Sequence, residues 1–160
     1  AGCGRTPWHF DDHHFPLDTN DVVTAWVPAQ PTPIEMGPLS FAYPLDVHKL
    51  VNAVTFEKTG TGYDRGVSEV FKKNGVTVNE TPFELGEVSF HHNLNFHTAS
   101  QNRTSRSRVA LANTYFRDGA RVINNPTMVS GDWQKFMPNI NPGDIAASPL
   151  NPICWPVDDK

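Results

Sequence analysis

Fourteen prolines and eleven glycines, spread along 160 residues, constrain this chain more than any other feature. Proline removes a main-chain donor and clashes with the preceding helical turn, and glycine costs conformational entropy, so long helices are excluded and short extended segments between turns are favoured. Val22 to Val27, Leu39 to Ala42, Val76 to Val78, Glu87 to His92 and Arg108 to Phe116 are β-branched, aromatic or alternating runs bounded by Pro, Gly, Asn or Asp. The spacing predicts a mainly β domain, a sandwich or barrel of short strands. One helix is expected over Tyr63 to Asn74. There Val67, Val70 and Phe71 recur at helical spacing, Lys72 and Lys73 suit the C-terminal dipole, and Gly75 supplies a left-handed cap. A second short helix is expected from Ser130 through Trp133 to Phe136, before the prolines at 138, 142, 149, 152 and 156 enforce an extended tail.

The length fits a single domain over residues 1–160, with roughly 70% of the unfolded surface buried. Lys plus Arg is 13 and Asp plus Glu is 17, a net charge of −4, and the one basic cluster is the short run Arg103 to Arg108. Nucleic acid is therefore not an expected partner, because phosphate binding needs concentrated positive charge. No membrane span is expected either, since apolar runs such as Val22 to Ala29 fall well short of about 20 residues. Cys3 and Cys154 lie at opposite ends of the chain, too few for a disulfide framework or a cysteine-rich zinc site. They read as free thiols, and a cytoplasmic location is expected. Asn79-Glu80-Thr81 and Asn102-Arg103-Thr104 match the glycosylation pattern, but nothing resembles a signal peptide and they carry little weight.

Seven histidines are an excess, and six of them cluster: His9, His13 and His14, then His91, His92 and His97. His9-Phe10-Asp11 is a His-x-Asp in which, on an extended strand, the imidazole and the carboxylate share one face. A third ligand from a distant strand would complete a facial set of two His and one carboxylate, the arrangement of nonhaem Fe(II) oxygenases. His97 is the candidate, because it follows a strand and a polar turn, Asn93-Leu94-Asn95, that can aim it inward. Spacing alone does not separate it from its neighbours, and a His-x-Asp is frequent by chance.

Read at the strand period of two, Arg108, Ala110, Ala112 and Thr114 share a face, with Val109, Leu111 and Tyr115 on the other. Small residues with an arginine at one end suit a cavity wall that admits a small anion, since a guanidinium holds a carboxylate through two hydrogen bonds.

Taken together, several blocks resemble the phytanoyl-CoA dioxygenase (PhyH) family. They are Thr6-Pro7-Trp8-His9-Phe10-Asp11, Phe15-Pro16-Leu17-Asp18 and Val23-Thr24-Ala25-Trp26, then Glu35 to Ala42 with His48-Lys49, and Gly86 to His97 followed by Asn102 and Arg108. Pro142 to Pro152 resembles the closing segment of many bacterial members. The resemblance implies a double-stranded β-helix, the cupin-like jelly roll, with one or two short inserted helices. It further implies that His9, Asp11 and His97 bind Fe(II), that Arg108 pairs with the distal carboxylate of the cosubstrate 2-oxoglutarate, and that Trp26 lies close to that cosubstrate. O2 is the co-oxidant, and the expected reaction is hydroxylation of an unactivated C–H bond of a small organic substrate, with release of succinate and CO2. Asp11 sets the sequence apart from related halogenases, which lack that carboxylate.

Phe10, Ala99, Gln101 and the turn Tyr43-Pro44-Leu45-Asp46-Val47 depart from the family pattern without touching an expected ligand. Members usually carry on the order of a hundred further residues before the His-x-Asp block. The chain is thus expected to be the C-terminal portion of a longer domain. His13, His14, His91 and His92 read as packing or outer-shell groups, since a facial triad needs three protein ligands. Met36, Met128 and Met137 read as core fillers. Two other readings stand beside the oxygenase: a catalytically idle jelly-roll binding module or inactive fragment, and a zinc hydrolase, for which Asp12 is the local candidate base.

Overall fold

In the computed structural model, residues 4–56, 61–126 and 131–155 are described. Among these residues, seven strands form two antiparallel sheets. The four-stranded sheet has the order β1-β6-β3-β4, from β1 (Thr6–His9), β6 (His97–Ala99), β3 (Leu39–Tyr43) and β4 (Thr77–Glu80). The three-stranded sheet has the order β5-β2-β7, from β5 (Ser89–His92), β2 (Val22–Pro28) and β7 (Ala110–Phe116). Neighbouring strands are distant in sequence, as expected of the double-stranded β-helix, and the fold is the jelly roll.

Two helices, α1 (Val47–Leu50) and α2 (Gly62–Asn74), lie between β3 and β4. The second fulfils the expected helix: Tyr63, Val67 and Phe71 are buried, and Gly75 closes it at φ 63° with its N–H donating to the Phe71 carbonyl. Together with Val47 and Val51 they pack on Ala42 and Phe96, with Trp8 against the same cluster. Trp8 stacks on Phe96 with ring centroids 5.5 Å apart. The core therefore backs the strands that carry His9 and His97. A second cluster, Leu17, Val22, Val122, Trp133, Met137 and Ala146, closes the end of the three-stranded sheet near Val22.

Several expectations shift in register. The strand expected over Val76 to Val78 runs over Thr77–Glu80, and those expected to start at Glu87 and Arg108 start at Ser89 and Ala110. The helix expected from Ser130 to Phe136 is a single 3-10 turn, Trp133–Lys135, because Pro138 follows too soon for a longer run; Ser130 lies outside the described residues. Strand β6 and helix α1 carry too few residues for any periodicity to announce them. Met36 and Met137 are buried as expected, while Met128 and Cys3 lie outside the described residues. Cys154 is a free, exposed thiol. No helix among the described residues is long and apolar enough to cross a membrane.

Candidate metal centre

His9 closes β1 and stands opposite His97, the first residue of β6, across an antiparallel pair. Their imidazole centroids are 4.2 Å apart. Asp11 is not on the same strand as His9, contrary to the sequence expectation, for β1 ends at His9 and Asp11 opens a 3-10 turn, Asp11–His13. Phe10 between them is nevertheless extended, at φ −127° and ψ 148°, which keeps His9 and Asp11 on one side of the chain. The turn is pinned where both Asp11 N–H and Asp12 N–H donate to the Asn93 carbonyl, at 2.8 and 3.2 Å.

Ligand atoms of His9, Asp11 and His97 lie within 4.8 Å of one another, the spacing one ion can bridge. His9 Nε2 and His97 Nε2 approach the same oxygen, Asp11 Oδ1, at 3.6 and 3.8 Å. Each ring also has its tautomer fixed. His9 Nδ1 donates to the Pro7 carbonyl at 2.8 Å and His97 Nδ1 to the Asn95 carbonyl at 2.9 Å, so both Nε2 lone pairs face the carboxylate. Burial pushes the His97 imidazole down to about 4, with His9 beside it adding to the effect. Burial also lowers His9. Burial pushes Asp11 up, but His91 and the neighbouring imidazoles outweigh it and leave the carboxyl below its ordinary value. At neutral pH all three groups are in the form that binds a cation, and two imidazoles with one carboxylate oxygen on one side is the donor set of nonhaem iron sites. The residues fit an Fe(II) ion.

The inner face of the three-stranded sheet forms the opposite wall. Thr24 pairs with His91 on β5 and Thr114 on β7, while Trp26 pairs with Ser89 and Ala112. Thr114 and the alanines at 110 and 112 share that face, as the strand alternation predicts. Trp26 is half-buried against Phe83, with ring centroids 5.0 Å apart. Arg108 precedes β7, where its Nη1 donates to the carbonyls of Met36 and Ser100 at 3.4 and 3.3 Å and to the Gly37 carbonyl. Among the described residues, its side-chain hydrogen bonds leave from Nη1.

The other histidines divide. His91 is buried, with Nε2 3.6 Å from Asp11 Oδ2, but it lies outside the triad's ligand spacing. His92 Nδ1 accepts from the Leu94 N–H, and His13 rests edge-on against Phe10 with centroids 3.9 Å apart. Asp12, the base a zinc hydrolase would need, accepts a hydrogen bond from Asn93 Nδ2 at 3.0 Å and is thereby held to the turn. The sequence reads His91 as a packing or hydrogen-bonding residue and does not name its partner. Its signal was there in the alternation of β5, which puts His91 on the same face as Ser89.

The phytanoyl-CoA dioxygenase (PhyH) model matches residues 1–110. The chain belongs to the PhyH family. No curated protein matches it. Among solved structures it is similar to the non-heme alpha-ketoglutarate-dependent carbocyclase SnoK of nogalamycin biosynthesis, with a TM-score of 0.67 and 23% identity over 92% of this chain and 54% of that one. It is similar also to the epimerase SnoN of the same biosynthesis, with a TM-score of 0.62 and 21% identity over 96% of this chain and 53% of that one. SnoN in complex with Fe3+, alpha-ketoglutarate and nogalamycin RO matches at a TM-score of 0.57 and 26% identity, over 76% of this chain and 45% of that one. This PhyH chain thus spans about half the length of the solved relatives it matches. The likeness places it in the fold of the Fe/2-oxoglutarate oxygenases.

Proposed function

We propose that the chain carries the metal centre of an Fe(II)/2-oxoglutarate-dependent dioxygenase that hydroxylates an unactivated C–H bond of a small organic molecule. The observation that carries this reading is the convergence of His9, Asp11 and His97, from two paired strands and a pinned turn, within the reach of one ion. His9 Nε2, His97 Nε2 and Asp11 Oδ1 would hold Fe(II), a three-ligand protein set of the kind that admits cosubstrate and O2. When bound, iron with 2-oxoglutarate and O2 supplies oxidative decarboxylation to succinate and CO2, coupled to oxidation of the substrate.

The protein's share is positioning. Pro7 and Asn95 carbonyls fix the tautomers of the two imidazoles, and Asn93 pins the turn that presents Asp11. Arg108, anchored by the Met36, Gly37 and Ser100 carbonyls, would pair with the distal carboxylate of 2-oxoglutarate. Ala110 and Ala112 leave room beside it, and Trp26 forms part of the same wall. No side-chain acid or base is needed, which accords with Asp12 being tied to Asn93. The small substrate and a cytoplasmic location belong to this reading. The net charge of −4 disfavours nucleic acid as partner.

Anaerobic titration of the purified chain with Fe(II) and 2-oxoglutarate tests it. A weak visible charge-transfer band, lost in Asp11→Ala, is the expected result, and its absence from the wild-type chain contradicts the assignment. Because SnoK is a carbocyclase and SnoN an epimerase, products are to be screened for oxidation without added oxygen as well as for hydroxylation.

A further inference from the structure

The two oxygens of Asp11 face different sheets. Oδ1 faces His9 and His97 of the four-stranded sheet, whereas Oδ2 faces the three-stranded sheet. There it accepts a hydrogen bond from Thr24 Oγ1 at 3.3 Å on β2, and His91 Nε2 on β5 lies 3.6 Å away. Thr24 Oγ1 is in turn 3.0 Å from Thr114 Oγ1 on β7. Since Thr24 spends its one proton on the carboxylate, Thr114 is the donor to Thr24. All three strands of that sheet therefore converge on one carboxylate oxygen.

Among the described residues, no other polar contact competes for the His91 side chain. Its side chain is 4% exposed, its ring lies against those of Phe41 and His97 with centroids 5.4 and 4.6 Å away, and its Nδ1 has no hydrogen-bond partner. A bare lone pair on Nδ1 costs less than a bare N–H, so the ring proton belongs on Nε2, the nitrogen 3.6 Å from Oδ2.

We propose that His91 and Thr24, with Thr114 behind Thr24, are positioning residues that hold Asp11 Oδ2, so that the carboxylate offers only Oδ1 to the metal. The proposal rests on the metal-centre reading above. Its physical consequence is selective: a carboxylate held by one oxygen binds an ion through the other and leaves a coordination position open that a chelating carboxylate would fill. Losing the hold frees Oδ2 to turn onto the ion, or lets the whole carboxylate swing away.

The test uses Co(II) as the probe, without 2-oxoglutarate or substrate, on the full chain. Affinity and the visible d–d absorption are measured for wild type, Asp11→Ala, Thr24→Val, Thr24→Ser, His91→Phe and His91→Gln. Thr24→Val and His91→Phe are each expected to weaken Co(II) binding about 10- to 100-fold, or to lower the visible absorption as the coordination number rises. Thr24→Ser and His91→Gln, which keep a donor, are expected to restore both readouts to near wild type, which a merely structural role does not predict. If His91→Phe fails to fold, the near-isosteric Thr24→Val carries the same decision. Asp11-dependent binding that Thr24→Val leaves unchanged in both affinity and spectrum overturns this proposal alone. Co(II) binding that is no weaker in Asp11→Ala than in wild type overturns the functional reading and this proposal with it.

Discussion

His9 and His97 face each other across the β1–β6 pair, each with Nδ1 hydrogen-bonded to the carbonyl two residues before it. The symmetry is that of an antiparallel ladder: two strands running in opposite directions present the same local motif, and both Nε2 atoms meet at Asp11 Oδ1. The two imidazoles are thus aimed before any ion arrives.

Acid sensitivity of the metal-free chain follows from their burial. His97 titrates near 4 in the folded chain against 6.5 when unfolded, so between those values the unfolded state binds the extra proton. Stability is complete above about pH 6.5 and falls as pH drops towards 4, by about 3 kcal/mol from this residue alone. The lowered His9 acts with the same sign. Urea midpoints of the metal-free chain measured from pH 7.5 to 4 check this, and a midpoint independent of pH contradicts it.

Asp11→Ala is expected to abolish metal-dependent consumption of 2-oxoglutarate while leaving the far-ultraviolet circular dichroism unchanged. The turn it opens is pinned by main-chain N–H groups, which alanine retains. Turnover at the wild-type rate in this variant removes Asp11 from the ligand set.

In the proposed reading Arg108 carries two tasks that separate by substitution. Arg108→Ala loses the charged pair to the cosubstrate, at a cost of roughly 2 to 5 kcal/mol if that pair is buried, and also leaves three carbonyls without their donor. Arg108→Lys keeps the charge but not the fork, so 2-oxoglutarate affinity is expected to fall between those of wild type and alanine. Equal affinity in all three proteins contradicts the pairing.

Gly37→Ala is expected to destabilise the fold by at least about 2 kcal/mol. Gly37 has φ +73°, and a Cβ there runs into the Ser100 carbonyl that Arg108 also holds. Chemical denaturation gives the loss, and a poorer 2-oxoglutarate affinity in the surviving folded protein is expected alongside it.

Phe96→Ala removes a fully buried ring between Trp8, Phe71 and the strand that begins at His97. A loss of about 3 to 5 kcal/mol is expected from the cavity and the lost contacts. Thermal melts of wild type and variant measure it, and a loss under 1 kcal/mol indicates that the helix α2 layer collapses into the space.

Helix α2 with its Gly75 cap and most of β2, β3, β5 and β7 were legible because periodicity, capping and breaker residues are local signals. The triad was legible in its residue types and, through the family's blocks, in its positions. Strand β6 was not, for its three residues pair on both sides and owe their conformation to β1 and β3 rather than to their own pattern. The outer face of the three-stranded sheet was not legible either: Val23, Phe90, Leu111 and Tyr115 alternate like a buried face, yet each is exposed.

By itself the sequence determined the short-strand architecture, the helix α2 and the donor types, since these follow from each residue's backbone preference and ligand chemistry. Only the tertiary structure decided that the two oxygens of Asp11 serve opposite sheets, one towards His9 and His97 and the other towards Thr24 and His91. That division depends on strands meeting from distant parts of the chain, and the side-chain directions it requires exist only once β1, β2, β5 and β6 have found their partners.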